Sequence, residues 1–316
     1  MNGKKIKIAA VVGPTASGKT RLGITLAKRL GGEVVSADSM QIYEGMDIGS
    51  AKPTEQEMQG VPHHLIGVIP RDKNFSVAMY TELAHEKIKE AAARGNVPII
   101  VGGTGLYVDS LINNVKFTEY EVDEKLRQSL FERAENESPM SLWQCLRDID
   151  PQSAEKIEPN NIKRVVRALE IYYTTGITMT EQNARSKSVP SPYSAVKFGL
   201  KTADRAVLYN RINVRVDEMM KLGLLDEARK LIEGGGRSST AAKAIGCKEF
   251  IPYFFGEQTL EEAVETLKRE TRRYAKRQLT WFLRDKEIRW FNTDEYGSFS
   301  EIEDEAEECL RSHIRL

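Results

Sequence analysis

The sequence is poor in cysteine, in net charge and in long apolar runs. Its three cysteines, Cys145, Cys247 and Cys309, form no C-x-x-C pair, which argues against a zinc site and against a disulfide framework. With 46 basic and 46 acidic residues the formal net charge is +0, so only a local patch of charge can indicate a nucleic-acid partner. No apolar run approaches membrane-spanning length, and no signal-peptide pattern precedes the first strand. These absences predict a cytoplasmic protein, with a monomer as the default state.

A glycine-rich loop between a predicted strand and a predicted helix is the most informative segment. Residues 8–12 form an apolar run typical of a buried strand, and residues 21–30 have helical periodicity. Between them lies G-x-x-x-x-G-K-T, residues 13–20, in the context that a phosphate-binding loop requires. Glycines turn the backbone N–H groups inward, and the helix N-terminus adds positive potential. The motif predicts a polyphosphate ligand without specifying which one.

Two further strand ends are predicted beside this loop. Residues 33–37 form a strand that ends at Asp38, and parallel strand ends line the ligand crevice, so Asp38 is expected to face Lys19. A turn-capping role for Asp38 is equally compatible with the sequence. The strand at residues 97–101 ends in Gly102–Gly103–Thr104 instead of an aspartate, which argues against an ordinary ATPase or kinase. His63 and His64 are adjacent without a third ligand, which favours structural roles over a metal site.

The 316 residues suffice for one large domain or two ordinary ones. We predict an α/β fold: a P-loop NTPase-like parallel sheet core, residues 1–115 and 198–316, with helices on both faces. Strand patterns vanish between residues 116 and 197, where charged amphipathic helices predict an all-helical insertion domain. Lys163, Arg164 and Arg167 share one flank of a helix there, although they could equally form a solvated face paired with Glu170.

Positive charge concentrates on two helices of the core. Arg211 and Arg215 are four residues apart, which suits a phosphate clamp, or ion pairs with Asp217 and Glu218. The helix at residues 260–284 carries six cations on about half of its surface, with only Glu270 available among them. Such a one-sided row favours contact with a nucleic-acid backbone over a solvated face. The six are Lys268, Arg269, Arg272, Arg273, Lys276 and Arg277.

Seven segments in register resemble the bacterial tRNA dimethylallyltransferases, the tRNA isopentenyltransferase family, over nearly the whole chain. They are GPTASGKT (13–20), ADSMQIY (37–43), MDIGSAKP (46–53), PHHL (62–65), GGTGLY (102–107), RVVRALE (164–170) and AKRQLTW (275–281). The resemblance implies transfer of a dimethylallyl group from dimethylallyl diphosphate to the N6 amine of the adenosine 3′ of the anticodon. That adenosine must be extruded from its stack to react.

The resemblance also assigns site residues. Lys19 and Arg215 would stabilise the leaving diphosphate, Asp38 would be the general base, and Thr20 would hold Mg²⁺, with no zinc expected. The loop would bind the diphosphate rather than ATP, although the sequence does not exclude weak ATP binding. The residues that bind the diphosphate would be Gly13, Pro14, Thr15, Ala16, Ser17, Gly18, Lys19 and Thr20. The positions facing the tRNA anticodon stem-loop would be Asp38, Ser39, Met40, Gln41, Thr104, Arg127, Lys163, Arg164, Arg167, Lys243 and Lys248, and the basic helix would add Arg272, Arg273 and Lys276.

Three other functions remain open at this point. A small-molecule kinase would use the same loop for ATP. An adenylate isopentenyltransferase would prenylate a free nucleotide and would need neither the basic helix nor so long an insertion. A non-catalytic RNA-binding P-loop protein would leave Asp38 and Arg215 without a purpose.

Overall fold

The computed structural model describes residues 5–117, 123–186, 188–233 and 244–315. Within them a single six-stranded sheet forms the centre, and all of its strands are parallel. The strands are β1 (Ile6–Val12), β2 (Gly32–Ser36), β3 (His63–His64), β4 (Val97–Gly102), β5 (Tyr193–Lys201) and β6 (Ile288–Asn292). Their order is β3-β2-β4-β1-β5-β6, and Ala9 of β1 lies opposite Ile99 on one side and Val196 on the other. The predicted α/β class is confirmed.

The helices flank this sheet or form a separate unit. In chain order they are α1 (Lys19–Leu30), α2 (Glu55–Met58), α3 (Val77–Ala93), α4 (Gly105–Ile112), α5 (Glu124–Asn136), α6 (Pro139–Ile149), α7 (Pro151–Ala154), α8 (Ile162–Thr175), α9 (Met179–Ser186), α10 (Arg205–Lys221), α11 (Leu224–Glu233), α12 (Ile251–Phe254), α13 (Leu260–Phe282) and α14 (Phe299–Arg315). A short 3₁₀ helix, Lys248–Phe250, precedes α12. The chain divides into two compact units: residues 1–112 with 191–316, and residues 113–190.

Strand β1 is apolar from Ile8 to Val12 because the sheet is covered on both faces. Its side chains alternate between two hydrophobic clusters, with Ile8 and Val12 in one and Ala9 and Val11 in the other. The first cluster includes residues of α3, α4, α10, α11 and α13, and the second includes residues of α1 and α14. Burying each large apolar side chain contributes about 1.5–3 kcal/mol, so the two layers hold the strand ends in fixed positions.

The second unit contains only helices, α5 to α9, among its described residues. It has its own apolar core, which includes Leu130, Leu146 and Val165. Glu170 is buried beside this core, and Arg127 and Arg167 neutralise its carboxylate at 2.8 and 3.1 Å. Removal of an arginine partner would leave the buried Glu170 carboxylate without full compensation, so these ion pairs stabilise the packing of α5 against α8.

The predicted end of the insertion at residue 197 was wrong. Strand β5 begins at Tyr193, and the compact helical unit ends at residue 190. Polar residues hid the first half of the strand: Ser194 and Lys197 stand in it, and residues 194–197 are only partly buried. The sequence also did not predict β6, α9 or α11.

No helix among the described residues is long and apolar enough to cross a membrane. The three cysteines are free thiols, and Cys247 is buried.

Candidate functional site

The P-loop follows directly from β1. Gly13 and Gly18 adopt φ values of +151° and +90°, which glycine accepts without steric cost. A Cβ atom at Gly13 would lie 2.5 Å from the carbonyl oxygen of Leu200, so no larger residue fits. The hydroxyl of Ser17 is buried and has no hydrogen-bond partner within the described residues. A loop with an unpartnered buried donor at a helix N-terminus is suited to an anion.

Lys19 is the cation of this loop. It opens α1, and its Nζ donates to the carbonyl oxygen of Pro14 at 3.2 Å. Burial lowers the pKa of Lys19 to about 8; the carboxylate of Asp38 opposes this shift, and Arg215 adds to it. Burial likewise lowers the pKa of Arg215. Two cations that share one desolvated region are stabilised by a polyanion between them.

Asp38 stands in the turn after β2. Its Oδ1 accepts the backbone N–H groups of Met40 and Gln41 at 2.9 and 3.4 Å. The neighbouring residue, Ser39, donates its backbone N–H to Oγ1 of Thr104 at 3.0 Å. Asp38 therefore caps a turn and also lines a cavity, so both interpretations of the sequence apply.

One cavity of about 310 Å³ joins the strand ends to the P-loop. It brings together nine of the site residues that the sequence predicted in the α/β unit. These are Thr15, Lys19, Thr20, Asp38, Ser39, Met40, Gln41, Arg215 and Lys248. Such a cleft, apolar in part and with convergent charged groups, is typical of a ligand site.

Helices α10 and α13 form much of the wall. They run antiparallel, because Lys268 pairs with Asp217 at 2.8 Å and Arg272 donates to Oδ1 of Asn213 at 2.6 Å. The apolar part of the wall is made by Ile212, Val216, Met219, Leu224, Ile245 and Leu267. It can exclude water from the cavity, which strengthens the electrostatic contacts inside it.

Four polar wall residues on α13 were missing from the sequence-based site: Thr271, Tyr274, Arg277 and Gln278. The row of cations predicted a nucleic-acid contact on the exposed face of this helix. Arg277 was counted in that row but was not predicted to line the site. The available signal was Gln278, a polar residue that continues the buried stripe of Leu267 and Ala275 at helical spacing.

A loop over the cavity is fastened by Glu227 of α11. The carboxylate accepts the backbone N–H groups of Asp47, Ile48 and Gly49, each at 2.8 Å. Gln41 supports the same loop by donating to the carbonyl oxygens of Ser50 and Ala51, at 3.3 and 3.1 Å. Because Gly49, Ser50 and Ala51 line the cavity, these contacts shape its wall.

The basic face of α13 is more strongly paired than the sequence indicated. Glu270 pairs with Arg269 and Arg273, at 3.7 and 2.7 Å, and Asp217 and Glu265 both pair with Lys268. Glu270 is the acidic residue inside the stripe, as the sequence indicates, and further carboxylates pair with Lys268 from outside it. The extra carboxylates come from α10 and from one turn earlier on α13. Arg272, Arg273 and Lys276 lie outside the cavity lining, and Lys276 is exposed.

The predicted tRNA-facing residues of the insertion belong to the helical unit. Lys163, Arg164 and Arg167 are exposed on α8, and Arg127 lies on α5. Arg127 and Arg167 already neutralise Glu170, so part of their charge serves the fold. Lys243 lies outside the described residues.

The oxygen donors at the cavity fit Mg²⁺. The Thr20 hydroxyl and the Asp38 carboxylate both line it, and Mg²⁺ prefers oxygen ligands completed by water and phosphate. Within the described ranges no group of three or more His, Cys, Asp or Glu side chains could hold a metal alone. This set suits an ion that arrives with a polyphosphate.

The adjacent histidines have separate partners. His63 contacts the carbonyl oxygen of Val61 through Nδ1 at 2.8 Å, and His64 contacts Glu33 through Nε2 at 2.6 Å. Their rings serve structural hydrogen bonds, as the sequence favoured.

Comparisons with known proteins agree with one another. The family model described as IPP transferase matches residues 41–286. The tRNA dimethylallyltransferase of Halalkalibacterium halodurans is 51% identical over 288 residues, which cover 91% of each chain. The crystal structure of the full-length tRNA isopentenylpyrophosphate transferase from Bacillus halodurans has a TM-score of 0.74 at 45% identity and covers 99% of this chain and 97% of that one. A eukaryotic dimethylallyltransferase, seen acting on tRNA, has a TM-score of 0.79 at 30% identity, with 94% and 78% covered.

Proposed function

The chain belongs to the IPP transferase family, and from this premise we propose that it is a tRNA dimethylallyltransferase. It moves the dimethylallyl group of dimethylallyl diphosphate to the N6 amine of the adenosine 3′ of the anticodon in tRNA, and it releases diphosphate. The names of its relatives support this activity, and the similarity to them extends over nearly their whole length.

The observation that carries the proposal is a single cavity with a phosphate-binding half and a proton-accepting half. Lys19, Thr20 and Arg215 line the first half, and Asp38 lines the second. A transferase that alkylates an amine needs both, because a leaving diphosphate and a leaving proton must be accepted in one cleft.

Each half has a defined task in the transfer. The N6 lone pair forms a bond to C1 of the dimethylallyl group, while the bond from C1 to the diphosphate oxygen breaks and the diphosphate leaves with the electron pair. Lys19 and Arg215 stabilise the negative charge that develops on the diphosphate, together with the P-loop N–H groups. Asp38 takes the N6 proton on the carboxylate oxygen that its turn leaves free of backbone contacts.

Mg²⁺ would be held by Thr20, and it would neutralise diphosphate charge when bound. The low pKa of Lys19 fits the same ligand. Burial lowers the pKa of the Lys19 amine to about 8, and a bound polyanion would raise it again and hold the amine in its charged form.

The acceptor side uses Ser39, Met40, Gln41 and Thr104 around Asp38. Lys248 lines the same cavity, and a target base must enter it by leaving its stack at a cost of a few kcal/mol. We assign the contacts that offset this cost to the basic residues of α13 and of the helical unit. The protein acts as a cytoplasmic monomer in this proposal, and light scattering tests the oligomeric state.

The test combines purified protein, Mg²⁺, labelled dimethylallyl diphosphate and unmodified tRNA, with free AMP in a parallel reaction. We expect label in tRNA alone. Label in AMP would identify an adenylate isopentenyltransferase instead. Label in neither, together with ATP turnover, would identify a kinase.

A further inference from the structure

A buried glutamine on α13 joins two loops of the cavity. Gln278 is 6% exposed, and both ends of its amide are used. Its Oε1 accepts the backbone N–H of Thr15 in the P-loop at 2.9 Å, and its Nε2 donates to the carbonyl oxygen of Gly103 at 3.0 Å. One side chain therefore connects the loop after β1 with the loop after β4.

The second of these loops holds the Asp38 turn. Thr104, which follows Gly103, donates its backbone N–H to the carbonyl oxygen of Ala37 at 3.1 Å. Its Oγ1 accepts the backbone N–H of Ser39 at 3.0 Å. Thr104 thus contacts the residues on both sides of Asp38, so a shift of the Gly103–Thr104 segment would move the carboxylate relative to the P-loop.

The packing leaves Gln278 little freedom. A Cβ atom at Gly103 would overlap Nε2 of Gln278, so the amide and the backbone are in close contact. Tyr274 lies one turn earlier on α13, and hydrogen bonding with Thr104 and Gln278 partly offsets the effect of burial, which raises the pKa of its hydroxyl. A buried amide whose donor and acceptor are both satisfied keeps one orientation, because any other leaves polar groups unpaired.

We propose that Gln278 is a positioning residue that holds the P-loop and the Asp38 turn at the separation that group transfer requires. The inference rests on the proposed function. Gln278 acts through Thr15 and Gly103, since its own amide is occupied by protein contacts. Displacement of a reacting group by about 1 Å can lower a rate about a hundredfold, so a bond between the two halves of a site affects turnover strongly.

Two substitutions separate the two contacts. Gln278→Leu removes both. Gln278→Glu keeps an acceptor for the Thr15 N–H and loses the donor to Gly103. Thr280→Ala is the matched control, because Thr280 is exposed on the same helix. The readouts are kcat and KM for both substrates, affinity for inorganic diphosphate by calorimetry, tRNA affinity, and the unfolding midpoint.

For Gln278→Leu we expect kcat to fall about 10- to 100-fold, with tRNA affinity within about twofold of the parent protein. Diphosphate affinity should weaken in Gln278→Leu and be largely retained in Gln278→Glu, although kcat falls in both. Thr280→Ala should match the parent in every readout.

The proposal is overturned if kcat of Gln278→Leu stays within about twofold of the parent, or if the loss of kcat follows a loss of tRNA affinity or of folded protein. It is also overturned if Gln278→Glu retains full kcat. Failure of the proposed function is a separate result: the unsubstituted protein would then transfer no label to tRNA, whereas the diphosphate titrations would still report on the contact between Gln278 and the P-loop.

Discussion

At the scale of single residues, Asp38 has two tasks that substitution can separate. One carboxylate oxygen caps the turn through Met40 and Gln41, and the other is available to take a proton. We expect Asp38→Ala to lower single-turnover transfer by about 10²- to 10⁴-fold, the usual contribution of a general base, and to leave tRNA binding largely intact. The measurement is rapid-quench transfer with saturating tRNA.

Asp38→Asn is the matched control, because its amide oxygen can still cap the turn but cannot act as the base. Asn and Ala variants of equal, low activity support proton transfer. Recovery of activity by the Asn variant would mean that the turn, and not the base, is what catalysis requires. Lost tRNA binding with unimpaired single-turnover chemistry would also contradict the assignment.

Glu33 is the residue whose charge state should link stability to pH. It is buried at the start of β2, and Arg94, then Asn96 and His64, lower the pKa of its carboxyl from 4.5 to about 2. Because the folded-state pKa is lower than the unfolded one, the stabilisation is complete above pH 4.5 and is lost as the pH falls towards about 2.

Glu33→Gln should therefore lower the free energy of unfolding by about 2 kcal/mol at pH 7, a value reduced because the Arg94 partner is half exposed. Urea titrations at pH 7 and at pH 3 should show that the difference in unfolding free energy between the variant and the parent protein is smaller at pH 3. Glu86→Gln, at an exposed glutamate on α3, should change little at either pH. A gap that is independent of pH would contradict the charge-based explanation.

At the scale of elements, α13 has two faces with different tasks. Its buried stripe supports the cavity through Gln278, and its exposed face carries the cations proposed to contact tRNA. Removing charge at Arg272, Arg273 and Lys276 should weaken tRNA binding and lower the slope of log K against log salt by up to about 2. Pairing of Arg273 with Glu270 reduces its share of this effect.

The measurement is tRNA affinity at four salt concentrations. Lys87→Gln on α3 provides the control, because Lys87 lies on a different helix and is paired with Glu86 and Glu90. An unchanged slope in the α13 variant would show that this helix does not contact the RNA backbone.

Segments that local residues determine are predicted from the sequence better than contacts between distant parts of the chain. The P-loop and the Asp38 turn depend on local residues, so glycine spacing and strand ends were enough to predict that they meet. Gln278 and Glu227 act over sequence separations of 263 and about 180 residues. The polar side chain of Gln278 within the buried stripe of α13 is a local signal, but it does not identify the residues that Gln278 contacts. The same limit explains the missed start of β5, whose partly exposed residues resemble a polar linker.

At the scale of the whole molecule, the α/β unit and the helical unit each have a hydrophobic core of their own. All the residues proposed to bind diphosphate lie in the α/β unit, so this ligand should stabilise only that unit. At a hundred times its Kd, a ligand that binds only the folded state adds about 2.7 kcal/mol, which raises the midpoint of that transition by about 5–10 °C. Scanning calorimetry with Mg²⁺ and inorganic diphosphate should show one transition moving and the other staying in place. One transition that moves as a whole would mean that the two units unfold together, and no movement would argue against diphosphate binding at the P-loop.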